Sequence, residues 1–145
     1  MRGFTESGGD VIDSGQCGTE MIYFSTTYLK LDGGIMITVS HNPKEYNGMK
    51  FVRQEARPIS GDTGLRDLEK QVPDGVLPAV ADFTGKVVHL ATSEEYVKHI
   101  LSYVDVSELK AMKVVVNAGN GVAGPIFDVM EKYLPFELVK SGRPI

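Results

Sequence analysis

The chain has 145 residues, 42% apolar and 23% charged, which suits one ordinary globular domain, or one domain with part of another, and excludes a fibrous or low-complexity protein. A net charge of −4 without any run of Lys or Arg points away from nucleic acid, and no apolar stretch has the length that crosses a bilayer. Cys17 is the sole cysteine, which excludes an internal disulfide or a Cys-based zinc site and makes a reducing, cytoplasmic setting the default expectation.

Short apolar runs alternate with helical patterns along the chain, the signature of α/β architecture. Residues 4–7 read as the last turn of a helix, and 10–13 (DVID) as a short strand. Thr19 is placed to cap a helix carrying Ile22, Tyr23 and Tyr28. After the Gly33-Gly34 break, 35–39 (IMITV) reads as a buried strand and 49–53 as the next one. Asp62 or Thr63 opens a helix through Leu65, Leu68 and Val72, and Pro73, Gly75 and Pro78 mark a loop before a strand at 86–90. Ser93 with Glu94 and Glu95 starts a helix whose Tyr96, Ile100 and Tyr103 share one face. The polar stretch 105–110 reads as a boundary. A new strand at 112–116, a glycine-rich turn at 119–124, a helix at 125–133 with proline first, and a strand at 136–140 follow. A first α/β unit therefore ends near Ser107, and a second begins that one strand–helix–strand cannot complete, since both faces of a parallel sheet need cover. The sequence reads as interrupted at both ends, with a strand expected beside 10–13 and absent.

The segment richest in chemistry is Thr38-Val39-Ser40-His41-Asn42-Pro43, continuing Lys44-Glu45-Tyr46-Asn47-Gly48-Met49-Lys50. Its serine follows a strand directly, at the carboxyl end where open α/β sheets place ligands. Pro43 forces a turn, and Asn47-Gly48 signals a second before the next strand. From the residues alone several chemistries stay open. Ser40 beside His41 suggests a hydrolase, but sequence neighbours rarely form a nucleophile–base pair and the G-x-S-x-G elbow is absent. Plain loop capping is the ordinary reading of a strand–Ser–turn.

Ser40–Pro43 with Tyr46-Asn47-Gly48 and Lys50 closely resembles the phosphoserine loop of the α-D-phosphohexomutases, written T-A-S-H-N-P and followed by Y-N-G-x-K. Val39 departs from the usual small residue, which crowds the loop but removes no functional group. Residues 116–125 (VNAGNGVAGP) resemble the turn that opens the second domain of these enzymes, and 56–67 with Cys17-Gly18-Thr19-Glu20 resemble the bacterial phosphomannomutases. The resemblance implies a three-layer α/β/α domain I over 1–107, lacking its first strand, and the start of domain II over 108–145.

It further implies interconversion of mannose 6-phosphate and mannose 1-phosphate through a phosphoserine and a hexose 1,6-bisphosphate. Phosphoglucomutase or dual specificity is the alternative within the family, and a non-catalytic remnant or assembly module the alternative outside it. Ser40 matches the phosphoserine, Lys50 the lysine that supplies positive charge or assists proton transfer, and His41, Asn42 and Asn47 the groups that orient the phosphate. Mg²⁺ is the family's cation, held by the phosphate on Ser40 and by a D-G-D-G-D-R-like loop that these 145 residues do not contain, so this stretch alone is expected to be inactive. The implied partner is a phosphosugar, with no nucleic acid and no membrane, and unpaired strand edges raise the expectation of a homodimer or aggregation.

Other residues carry bland readings. His89 and His99 are structural or solvent-facing, Cys17 is a packing residue, and Asp62, Asp67 and Asp74 are solvated surface. Lys44 and Glu45 are exposed loop charges. The 119–124 glycines serve close strand–helix packing rather than phosphate binding, because they match neither phosphate-loop pattern.

Overall fold

The computed structural model describes residues 1–39, 42–43, 45–72, 80–119 and 121–141. Contacts divide the chain into two compact units, Met1–Gly15 with Ile22–Ala91, and Gln16–Met21 with Thr92–Ile145. Helices and strands alternate in both, so the α/β class read from the sequence is the class observed.

The first unit holds helix α1 (Arg2–Glu6), strand β1 (Val11–Asp13), most of helix α2 (Thr19–Tyr28), strands β2 (Gly33–Ile37) and β3 (Met49–Arg53), helix α3 (Leu65–Gln71) and strand β4 (Val87–His89). β1 and β4 pair in parallel from Val11↔Val87 to Asp13↔His89, and β2 and β3 pair antiparallel. A further extended segment lies beside β3: the Arg53 amide donates to the Arg57 carbonyl at 2.8 Å and the Ile59 amide to the Phe51 carbonyl at 2.9 Å.

The strand expected to be buried at 35–39 lies two residues earlier, at Gly33–Ile37, and one of its faces is open. Pairing sets Gly34 opposite Val52 and Met36 opposite Lys50 on one face, and Ile35 opposite Phe51 and Ile37 opposite Met49 on the other. α2 covers the first face, where Val52 is 3% exposed. A Cβ built on Gly34 would lie 2.8 Å from Ile22 Cγ2 and 3.1 Å from Val52 Cγ2, so only glycine lets helix and strand approach this closely. On the second face Ile35 and Ile37 remain 47% and 70% exposed. Composition announced a strand, but burial follows from which face the helix covers.

The helix expected to open at Asp62 or Thr63 opens later. A tight turn at Gly61–Thr63 comes first, fixed by a capping box in which the Ser60 amide donates to Thr63 Oγ1 at 2.7 Å, and α3 begins at Leu65. Asp62 and Asp67 sit 3.7 Å from Arg66 and 3.8 Å from Lys70 as exposed pairs, in keeping with solvated surface. Residues 73, 74, 75 and 78 of the predicted loop lie outside the described residues.

The second unit holds helix α4 (Ser93–Leu101), strand β5 (Met112–Asn117), helix α5 (Ala123–Met130) and strand β6 (Phe136–Ser141), with the start of α2. β5 and β6 pair in parallel over six residues, from Met112↔Phe136 to Asn117↔Ser141, as their β-branched and apolar runs foretell. The core lies around α4, where Val97 is fully buried and Cys17, Met21 and Thr92 are nearly so. Two expectations need correction here. Tyr103 lies beyond the end of α4 and is 74% exposed, so Val97 carries the buried face with Tyr96 and Ile100 half-buried beside it. Pro125 is the third residue of α5, not the first, a position whose N–H has no intrahelical partner in any case. No helix among the described residues is long and apolar enough to cross a membrane.

Candidate phosphate-loop site

The loop between β2 and β3 is closed at its base and turned twice above it. The Thr38 amide donates to the Gly48 carbonyl at 2.9 Å, continuing the β2–β3 ladder past Ile37↔Met49. The Asn42 amide donates to the Val39 carbonyl at 3.0 Å, and the Tyr46 amide to the Pro43 carbonyl at 3.0 Å. The turn expected at Pro43 is therefore present, whereas Gly48 belongs to the ladder that closes the loop.

Ser40 and His41, the candidate phosphoserine and its neighbour, lie outside the described residues, as does Lys44. Asn42, Asn47 and Lys50 are described and exposed. Lys50 stands opposite Met36 on the strand face that also carries Val52, two residues from the closing Thr38–Gly48 pair. Among the described residues no side-chain hydrogen bond or ion pair engages Asn42, Asn47 or Lys50. Glu45 is exposed, as expected. Among the described residues no three carboxylate, imidazole or thiol groups converge to hold a metal ion. The expected Mg²⁺ contact, a phosphate on Ser40, lies outside the described residues.

Elsewhere several polar side chains are held by neighbours. A surface cavity of about 390 Å³ is lined by Asp32, Arg53, Gln54, Arg57, Pro58 and Thr63. Its two guanidiniums are engaged: Arg53 donates to the Thr63 carbonyl, and Arg57 pairs with Glu55, which raises the Arg57 pKa further. Arg53 thus ties the end of β3 to the capping-box turn, a role ten residues distant in sequence that no local signal announced. His89 Nδ1 lies 3.2 Å from Asp13 Oδ2 at the carboxyl ends of β4 and β1, with the imidazole 78% exposed, an ordinary surface pair. His99 Nε2 lies 3.1 Å from the Tyr103 hydroxyl on the surface of the second unit. Cys17 is buried, in keeping with a packing role.

In the second unit a smaller cavity of about 290 Å³ is lined by Met21, Tyr96, Val122, Ile126 and Phe127 among others, and burial, helped by the Glu20 charge, pushes the Tyr96 hydroxyl up. Hydrogen bonds from Lys132 and then Tyr133 hold the Glu94 carboxyl below its ordinary range. Asp128 and Glu131 together raise Lys140, whose ammonium lies 2.6 and 2.7 Å from them.

The glycine-rich turn at 117–124 departs from its expected purpose. The Gly119 amide donates to Asn117 Oδ1 at 2.8 Å with Gly119 at φ +59°, and the Gly121 amide donates to the Ala118 carbonyl at 2.9 Å. A Cβ on Gly124 would meet nothing closer than Ala118 Cβ at 4.0 Å, so strand–helix packing does not demand these glycines. Turn geometry does, at Gly119 above all. Asn120 lies outside the described residues.

An α/β fold whose β2–β3 hairpin exposes Asn42, Asn47 and Lys50 is what the chain presents, and comparison with known proteins gives its class. The family model for phosphoglucomutase/phosphomannomutase, alpha/beta/alpha domain I, matches residues 1–75, more than half of the chain. A phosphomannomutase of Salmonella montevideo is 48% identical over 145 residues, covering 96% of this chain and 32% of that protein. A protein described as phosphohexose mutases in Xanthomonas campestris pv. campestris (strain B100) is 52% identical over 139 residues, covering 95% and 31%. A crystal structure of a phosphoglucomutase/phosphomannomutase family protein from Burkholderia thailandensis superimposes with a TM-score of 0.76 at 32% identity, covering 94% of this chain and 30% of that one. The chain belongs to the phosphoglucomutase/phosphomannomutase family, and it spans about a third of the length of the relatives it matches.

Proposed function

We propose that these residues form the phosphoryl-accepting part of a phosphomannomutase, with domain I over 1–107 and the start of domain II over 108–145, working in the cytoplasm. Ser40 takes the phosphoryl group of a hexose 1,6-bisphosphate: its hydroxyl oxygen forms the new P–O bond, the sugar oxygen leaves, and the serine proton ends on the released sugar hydroxyl. Phosphoryl transfer depends mainly on positioning and charge neutralisation, which suits a serine in the stretch of sequence that joins β2 to β3. Lys50 supplies positive charge to the transferring phosphoryl group, and His41, Asn42 and Asn47 orient it.

The observation that carries this reading is the loop itself: in register with the family motif, closed at its base, and presenting Asn42, Asn47 and Lys50 without partners among the described residues. Phosphomannomutase is preferred to phosphoglucomutase on the names of the relatives. Because the acidic D-G-D-G-D-R-like loop is not within this sequence, acceptance without turnover is the expected behaviour of these 145 residues. Phosphorus NMR of the chain with mannose 1-phosphate, glucose 1,6-bisphosphate and Mg²⁺ tests both points. The reading predicts consumption of one equivalent of bisphosphate and no mannose 6-phosphate. Multiple turnovers contradict the expected inactivity, and no consumption contradicts the acceptor role.

A second reading, self-association, is favoured by the open face of the β2–β3 hairpin, where Ile35, Ile37 and Met49 are 47%, 70% and 61% exposed around Phe51. Sedimentation velocity at rising concentration is expected to show a growing dimer boundary; a monomer throughout contradicts it.

A further inference from the structure

The loop that bears Ser40 hangs from a neck of two backbone groups. Thr38 donates to the Gly48 carbonyl at 2.9 Å, and a Cβ built on Gly48 would lie 2.8 Å from the Thr38 carbonyl oxygen. That oxygen is main chain, so no flexible side chain can give way, and any residue larger than glycine must part the strands at this point. Gly48 is absent from the glycines with positive φ, so the requirement is close approach and not left-handed backbone. Beyond this closure the Asn42 amide donates to the Val39 carbonyl and the Tyr46 amide to the Pro43 carbonyl. Ser40 stands two residues beyond Thr38, and Lys50 two residues beyond Gly48. A single hydrogen-bonded pair therefore sits between the strand end that leads to the acceptor and the strand start that bears the lysine.

We infer that Gly48 is a positioning residue: by lacking a side chain it lets the Thr38–Gly48 closure form, and the closure fixes the Ser40 segment relative to Lys50. The inference rests on the acceptor reading for what is positioned, and on the neck geometry alone for how. Displacement of reacting groups by about 1 Å typically costs on the order of 100-fold in rate.

The test is Gly48→Ala in the 145-residue chain, with Thr38→Pro as a second variant that deletes the donor and keeps the glycine. Two readouts are needed: amide exchange at residue 38 by NMR, and the rate at which hexose 1,6-bisphosphate labels Ser40. In Gly48→Ala, the Thr38 amide is expected to exchange at least about tenfold faster while amides of β1 and β4 keep their protection. Labelling is expected to slow about 100-fold in both variants, through the maximal rate and not the bisphosphate concentration needed. Labelling at the wild-type rate in both variants overturns the positioning role. A residue-38 amide that exchanges equally in wild type and Gly48→Ala overturns the closure, whatever the phosphate does. A wild-type chain that takes no phosphate overturns the acceptor reading instead, while opening of the Thr38 amide by Gly48→Ala still upholds the closure.

Discussion

Residues 38–48 and residues 117–124 leave the ends of apolar strands through similar letters, Asn and Gly in both, yet they spend their polar groups differently. The second segment turns inward. Asn117 accepts from Gly119, Gly121 donates to Ala118, and the chain passes at once into α5. The first has backbone hydrogen bonds at Thr38–Gly48, Val39–Asn42 and Pro43–Tyr46, and leaves Asn42, Asn47 and Lys50 exposed. A glycine-rich turn is thus no indicator of phosphate chemistry by itself. What matters is whether the turn's own side chains are consumed in making it.

The contrast can be broken most sharply at Lys50. Lys50→Ala is expected to slow labelling of Ser40 about 100-fold while leaving the melting temperature in place, because the side chain is exposed and makes no ion pair among the described residues. A kinetic assay with radiolabelled bisphosphate, run beside a thermal melt, separates the two quantities. Gly34→Ala reverses that pattern. Its methyl group would press on Ile22 and Val52 beneath the hairpin, and a loss of about 1–3 kcal/mol in urea unfolding is expected, carrying the loop down with the fold. Asn117→Ala removes the acceptor of one turn hydrogen bond, which costs about 1 kcal/mol by the same unfolding measurement and leaves labelling of Ser40 unchanged. Slower labelling in that variant would show that the second turn serves the same chemistry as the first.

The smallest effect is electrostatic. Glu94 has a lowered pKa through Lys132 and Tyr133, so its contribution is present above the unfolded carboxylate pKa and fades as pH falls through the folded one. Glu94→Gln should therefore flatten, slightly, the acid side of a melting-temperature profile, with no change at neutral pH in the labelling rate.

Much of this was legible in the residues. β1, β4, β5 and β6 were visible as short β-branched or apolar runs, and the start of α4 was announced by Ser93 with two acidic neighbours. The open face of β2 was not legible, because Ile35 and Ile37 look like core in any composition, and their exposure is decided by α2 covering the opposite face through Gly34. The onset of α5 was misread because proline is favoured at a first position, whereas any of the first helical N–H groups can be spared. In the candidate site, the motif marked Ser40 and Lys50, but nothing local revealed that Gly48 would close the neck and not make a turn. The tie from Arg53 to Thr63 joins groups that only the fold brings together.

Mapping of phosphate after incubation with glucose 1,6-bisphosphate and Mg²⁺ tests the central claim most directly, by intact mass and peptide sequencing of wild type and Ser40→Ala. A single phosphate on Ser40, lost in Ser40→Ala, is the predicted result; phosphate on any other residue, retained in Ser40→Ala, would contradict the account.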